Sequence, residues 1–155
     1  MRIRDASYRD IPGIIELLKQ VGQVHHEIRP DIFRAGAQKY NESDVGSMIY
    51  DPVRPIFVAV EGATVRGYCF CVHENTQGDS VLTDRKELYI DDLCVDENCR
   101  GKGIGTALYE IVCEYARARR CSSITLNVWC CNEKAMKFYE HLGLVPQKIG
   151  MEKML

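Results

Sequence analysis

The sequence predicts an α/β domain, a β-sheet flanked by about four helices, and three observations point to it. Apolar runs of strand length alternate with stretches whose apolar residues recur at helical spacing. The glycine-rich stretch Arg100-Gly101-Lys102-Gly103-Ile104-Gly105-Thr106 joins one such strand to one such helix. The chain has 155 residues, 46% hydrophobic and 27% charged, which is ordinary usage for one domain spanning 1–155. No internal repeat or low-complexity tract divides it.

Residues 3–6 suggest a first strand. Asp10 is placed to cap a helix with Pro12 in its first turn, an apolar face of Ile11, Ile14, Ile15, Leu18 and Val21, and Gly22 as its stop. Residues 23–50 are less regular and contain His25-His26, the turn-like Arg29-Pro30-Asp31 and a short helix over 41–49. Residues 55–60 and 64–73, with Gly62 between them, read as a β-hairpin. After an exposed loop at 77–80, residues 88–95 form the strand that enters the glycine-rich turn. The helix beyond it buries Ile104, Ala107, Leu108, Ile111, Val112, Tyr115 and Ala116 at helical spacing. A strand over 123–129, a helix over 132–142 ended by Gly143, and one or two strands within 144–155 complete the order.

A net charge of −2 with no basic stripe gives no reason to expect nucleic acid or an anionic membrane as partner. No apolar run approaches the roughly 18 residues of a membrane span, and Met1-Arg2-Ile3-Arg4-Asp5 lacks a signal-peptide core, so a cytoplasmic location is expected. Eight cysteines raise the question of disulfides, a zinc site or a thiol redox module. Cys69, Cys71, Cys94, Cys113 and Cys121 sit in or beside apolar stretches, as small hydrophobes do, and no C-x-x-C pair occurs, so reduced thiols and no metal are expected.

The glycine-rich turn is where chemistry enters. Its glycines let the backbone turn tightly, and the N–H groups of the helix that follows are still unpaired, so the turn favours an anion such as a pyrophosphate. A P-loop would need Lys-Ser/Thr after its last glycine, whereas Gly105 is followed by Thr106-Ala107. A dinucleotide fingerprint needs G-x-G-x-x-G, which Gly101-x-Gly103-x-Gly105 misses by one residue, and such a loop normally opens a chain of βαβ units.

What remains is Arg-x-x-Gly-x-Gly on Arg100, Gly103 and Gly105. With it, the chain resembles the GCN5-related N-acetyltransferase (GNAT) superfamily, whose acetyl-coenzyme A (acetyl-CoA) loop has the form Arg/Gln-x-x-Gly-x-Gly/Ala. The family's Asn-x-x-Ala-x-x-Phe-Tyr-x-x-x-Gly-Phe/Leu signature falls on Asn132, Ala135, Phe138, Tyr139, Gly143 and Leu144. The resemblance is strong over 86–155 and rests on element order alone over 1–74. It implies the GNAT fold: a central, mixed, mostly antiparallel, twisted sheet of six to seven strands flanked by about four helices. It also implies acetyl-CoA as co-substrate, bound by Arg100, Gly101, Lys102, Gly103, Ile104, Gly105 and Thr106, by the backbone of Leu93, Cys94 and Val95 where that strand parts from its neighbour, and by Asn132 and Tyr139.

Acetyl transfer to an amine has three requirements. The thioester oxygen needs preorganised N–H donors, which a splayed strand leaves free at 93–95; those residues would equally make an ordinary buried strand. The leaving thiolate needs a proton, and the resemblance assigns that to Tyr139, which by spacing alone would belong to the apolar stripe of Ala135, Phe138 and Leu142. The amine needs deprotonating, which costs about 4 kcal/mol at neutral pH for a pKa near 10.4. Leu88-Tyr89-Ile90-Asp91-Asp92 resembles the corresponding segment of diamine acetyltransferases, which have two acidic residues here and use the first, so Asp91 is the expected base and Asp92 is structural or in reserve. Successive strand residues face opposite ways, so only one of the two should reach the acceptor; alternatively, one or both only pair with Arg or Lys. Ribosomal-protein N-terminal acetyltransferases carry a glutamate base where this chain has Asn127.

The acceptor must be recognised by residues 23–50 and 74–86, where His25, His26, Glu27, Tyr40 and Glu42 are pocket candidates or merely solvated side chains. The sequence thus predicts an N-acetyltransferase that moves acetyl from acetyl-CoA to a primary amine, small or protein-borne, by direct attack in a ternary complex, with homodimerisation a family habit. The alternatives are a non-catalytic acyl-CoA sensor or interaction module and, on cysteine count alone, a thiol module.

Overall fold

In the computed structural model, which describes residues 1–155, the sheet has strands β1 (Arg2–Asp5), β2 (Ile56–Glu61), β3 (Thr64–Asn75), β4 (Lys86–Val95) and β5 (Ser123–Leu126), in spatial order β1-β2-β3-β4-β5. The first three pairings are antiparallel and β4–β5 is parallel. The helices are α1 (Ile11–Ile28), α2 (Glu42–Met48), α3 (Ile104–Ala118) and α4 (Glu133–His141).

The central strands are buried on both faces, and side-chain alternation divides the core in two. Ile56, Val58 and Val60 of β2 with Tyr68 and Phe70 of β3 meet Ile14 and Leu18 of α1 and Val45 and Met48 of α2. Phe57, Ala59, Cys69 and Cys71 of the same strands meet Leu108 and Val112 of α3. The cysteines at 69, 71, 94 and 99 are buried, and all eight are free.

Several expectations are corrected. Gly22 does not end the first helix, which runs on to Ile28. A Cβ there would stand 2.1 Å from the Ala37 carbonyl oxygen, so this glycine admits the close approach of the following loop. Asp10 does not cap α1. Its carboxylate accepts from the Ser7 N–H (2.8 Å) and hydroxyl (2.9 Å) across a 3₁₀ turn at Tyr8–Asp10, and takes both terminal nitrogens of Arg4 at 2.7 and 2.9 Å. The fifth strand stops at Leu126 rather than continuing to 129, and the sheet has five strands, not six or seven. Residues 145–155 are exposed and form no strand; Pro146 lacks the N–H that a ladder bond needs, and the apolar side chains of Val145, Ile149, Met151 and Leu155, although spaced at a period of two, bury against nothing. Glu152 in this tail pairs with Arg29 at 2.6 Å.

Candidate functional site

The site is organised by an irregularity in β4. Phe70 of β3 lies opposite Asp92 and Cys71 lies opposite Ile90, so Asp91 is an extra residue with no partner: a β-bulge. The bulge resets the alternation. Ile90 faces the α3 side of the core, Cys94 faces the α1 side, and Asp91 and Asp92 both reach side chains of the α1/α2 face. The expectation that only one aspartate could point to that side fails here for a physical reason, since one inserted residue breaks the period of two.

The two carboxylates have different settings. Asp91 accepts from the Tyr40 hydroxyl (2.6 Å) at one oxygen and from the Lys39 ammonium (2.8 Å) at the other, and its backbone carbonyl accepts from the same ammonium at 3.1 Å. Asp92 accepts from the hydroxyl of the fully buried Tyr68 at 2.8 Å. Burial pushes the Asp92 carboxyl up to about 6, aided by the negative Asp91 and opposed by the Tyr68 hydroxyl and by Lys39. Burial first, then the hydrogen bond to Asp91, pushes the Tyr40 phenol up.

The bulge also opens the sheet. Pairing of β4 with β5 ends at Ile90 opposite Leu126, so residues 91–95 have a free edge. Asp96 N–H bonds the Arg66 carbonyl across β3, and antiparallel alternation from that bond turns the Cys94 N–H towards β3 and the N–H groups of Leu93 and Val95 to the open edge. The Cys94 side chain is buried, its thiol 3.6 Å from the Leu17 carbonyl, and burial pushes that thiol up to about 12.

At the end of this edge lies the glycine-rich loop. Gly101 and Gly103 have φ of 75° and 77°, the left-handed region, and a Cβ on either would meet nothing within 4 Å. The first helical bond runs from the Ala107 N–H to the Gly103 carbonyl (3.0 Å), and the N–H groups of residues 100–106 have no carbonyl or side-chain partner. Arg100 Nε bonds the Val95 carbonyl at 3.2 Å and Lys102 Nζ the Asn98 carbonyl at 3.4 Å, which fixes both cations beside the turn. Free amides, a helix N-terminus and two cations suit a pyrophosphate. Gly105 serves packing instead, since a Cβ there would stand 3.0 Å from the Phe138 ring, and its absence lets α4 lie against α3.

Asn132 caps α4, its side-chain oxygen accepting from the Ala135 N–H at 3.2 Å. Tyr139 is half-buried in the same helix; burial above all, with the negative charge of Asp92 adding to it, pushes its phenol up, so it keeps its proton. A cavity of about 160 Å³ beside Asp91 is lined by Tyr40, Met48, Arg54, Phe70, Cys71 and Val72. Of the acceptor-pocket candidates only Tyr40 lines it. His26 binds the Phe33 carbonyl (2.8 Å), His25 stacks on the Phe33 ring, Glu27 accepts from Gln23, and Glu42 is exposed at the start of α2. Asn127 lies past the end of β5, 3.3 Å from the Tyr89 hydroxyl. Sequence reasoning missed Lys39 and Tyr68; the adjacency of Lys39 to Tyr40 was the one available signal. No group of three His, Cys, Asp or Glu side chains is arranged to hold a metal, and no helix is long and apolar enough to cross a membrane.

Residues 21–144 match the acetyltransferase (GNAT) family. The chain belongs to that family. This GNAT chain is similar to mouse (Mus musculus) thialysine N-epsilon-acetyltransferase, 26% identical over 147 residues that cover 92% of this chain and 82% of the relative. It is 40% identical to the glucosamine 6-phosphate N-acetyltransferase of Trypanosoma brucei brucei over 55 residues, 36% of this chain and 35% of the relative. Among solved structures, a single-site mutant of the BH1408 protein of Bacillus halodurans superposes with a TM-score of 0.95 at 33% identity, covering 100% of this chain and 99% of that one. An aminoglycoside acetyltransferase from an uncultured soil metagenomic sample, in complex with sisomicin, shares the fold with a TM-score of 0.73 at 16% identity, covering 99% and 95%. The protein is thus an acyltransferase, and the family's co-substrate is acetyl-CoA.

Proposed function

We propose that this GNAT protein transfers the acetyl group of acetyl-CoA to a small primary amine by direct attack in a ternary complex. The observation that supports it best is the Asp91–Asp92 pair, turned to one face by the bulge at the point where the free edge of β4 begins. The pyrophosphate lies on the N–H groups of residues 100–106, beside Arg100 and Lys102. The pantetheine arm follows the open edge, where the Leu93 and Val95 N–H groups donate to it and to the thioester oxygen as charge develops there. Asn132 holds α4 at the groove.

Asp91 seats the acceptor's ammonium, as its contact with the Lys39 ammonium illustrates. In place of Asp91, the base expected from the resemblance, Asp92 takes the proton, since with its carboxyl at about 6 it is ionised at neutral pH yet more basic than an ordinary carboxylate. The neutral amine attacks the thioester carbon, the tetrahedral adduct collapses, and the sulfur leaves. Tyr139, still protonated, donates a hydrogen bond to the departing thiolate and directs a proton to it. The cavity beside Asp91 holds a few methylenes, which favours a small amine over a folded protein surface. The mouse and bovine relatives are named for thialysine, which supports trying amino acids with a side-chain amine among the first acceptors.

The test is free-thiol release from acetyl-CoA with polyamines, aminoglycosides, amino acids bearing a side-chain amine, and lysine-containing peptides. Turnover with one class of small amine, reduced strongly in Tyr139→Phe, is expected. Turnover with peptides alone would overturn the small-acceptor reading, and acetyl-CoA binding without turnover on any acceptor would leave a sensor.

A further inference from the structure

The acceptor carboxylate already holds a primary amine, and it belongs to the chain itself. Lys39 reaches Asp91 from the loop between α1 and α2, touching both a carboxylate oxygen (2.8 Å) and the backbone carbonyl (3.1 Å) of that residue. Its side chain is 44% exposed, whereas that of Asp91 is 16% exposed, so the amine lies at the mouth and the carboxylate inside it. The Tyr40 ring packs beside the Lys39 ammonium, 5.5 Å from centroid to nitrogen, and fixes the opposite oxygen of Asp91.

From this geometry we infer that Lys39 is a self-acetylation site. The inference rests on the acetyltransferase reading above. Leu93, whose N–H faces the open edge, is two residues beyond Asp91, roughly 7 Å along a strand. A lysine stem has four flexible carbons, and the exposed one of Lys39 can swing its nitrogen across part of that distance. Asp92, on the same face, is positioned to take the proton that the ion pair with Asp91 otherwise holds on the amine.

The reaction balances without any further reactant. The Lys39 ammonium loses one proton to Asp92 and then to solvent, its nitrogen lone pair forms the N–C bond to the acetyl carbon, the C–S bond breaks, and the second nitrogen proton ends on the CoA sulfur. The products are N-acetyl-Lys39, CoA thiol and one released proton. Acetylation removes the charge of Lys39, and with it the ion pair that occupies Asp91.

The experiment is incubation of the purified protein with acetyl-CoA and no added amine, followed by intact mass and peptide mapping over time. The expected result is one added acetyl group, mapped to Lys39, at a rate independent of protein concentration because the step is intramolecular. It should be about a hundredfold slower in Tyr139→Phe and absent in Lys39→Arg. Label spread over surface lysines, or Lys39 labelled equally fast in Tyr139→Phe, would mean ordinary chemical acylation and overturn the inference. Thiol release with small amines, run on the same preparations, separates the two failures. If that activity persists while Lys39 stays unmodified, the acetyltransferase reading stands and self-acetylation falls; if both are absent, the reading beneath it falls too.

Discussion

Replacing Gly22 by alanine sets two physical effects against each other in sign. Inside α1, an alanine in place of glycine contributes about 1 kcal/mol through helix propensity. At this position, however, the new Cβ would stand 2.1 Å from the Ala37 carbonyl oxygen and 3.3 Å from its carbon, where ordinary contact begins at 3.4 Å. The loop backbone would have to retreat by about 1.3 Å. Backbone cannot rotate out of the way as a long side chain can, and overpacking of this kind costs about 1–3 kcal/mol. The net effect is a loss of up to about 2 kcal/mol, a drop in Tm of several degrees for a chain of this size. Ala37 is close in sequence to Lys39 and Tyr40, so the retreat should also loosen their grip on Asp91 and raise the KM for the amine while leaving acetyl-CoA affinity unchanged. Thermal unfolding and steady-state kinetics with each substrate varied measure both effects. Gly46→Ala in α2 is the control, since its Cβ would meet nothing nearer than 3.8 Å and it should gain up to about 1 kcal/mol. A Gly22→Ala protein that melts higher than wild type with an unchanged amine KM would refute the close-approach argument.

Gly103→Asp should fold, because its Cβ meets nothing within 4 Å and the left-handed φ costs only about 1–2 kcal/mol; its carboxylate should weaken acetyl-CoA binding about tenfold to a hundredfold by calorimetry, and unchanged affinity would remove the loop from the site. Amine turnover by the wild type should fall as pH drops through about 6, and Asp92→Asn should abolish that step and lower the rate above it. Because the native Asp92 carboxyl lies above its ordinary value, the folded state disfavours its charge. Its cost to stability is therefore full above pH 6 and disappears as pH falls towards 4, so the Asn variant should be the more stable one at pH 8 and lose that advantage in acid. Asp10→Ala should cost about 2–4 kcal/mol by denaturant unfolding, since it strands the Ser7 N–H and the Arg4 guanidinium. Burial alone would push the Asp10 carboxyl up, but Arg4 and Ser7 hold it below its ordinary range, so this contribution is present at neutral pH and is lost only as acid protonates the native carboxylate.

Local signals were read well where the cause of the structure is local. The hairpin at Gly62 and the helix begun at Gly103 each depend on a few adjacent residues, and each was legible. Gly22 and Asp10 misled because the same residue types that stop or cap a helix also serve distant partners, the Ala37 carbonyl in one case and Arg4 in the other. The tail after Gly143 misled because alternation at Val145, Ile149, Met151 and Leu155 is a local pattern, whereas a strand also needs a neighbouring edge to pair with, and these residues remain exposed.

The sequence by itself determined the family and, through the family, the co-substrate to expect. Backbone conformation at glycines and the order of a strand, a turn and a helix are properties of contiguous residues, and Arg100, Gly103, Gly105, Asn132 and Tyr139 stand at the spacings of the GNAT signatures. Only the tertiary structure decided which groups meet around Asp91 and Asp92. A single inserted residue at Asp91 turns two neighbouring carboxylates to one face and parts β4 from β5, and a loop some fifty residues earlier delivers Lys39 and Tyr40 to the first of them. Neither is written in any local pattern, because a bulge exists only relative to the strand opposite and a loop acquires its partner only when the chain closes on itself.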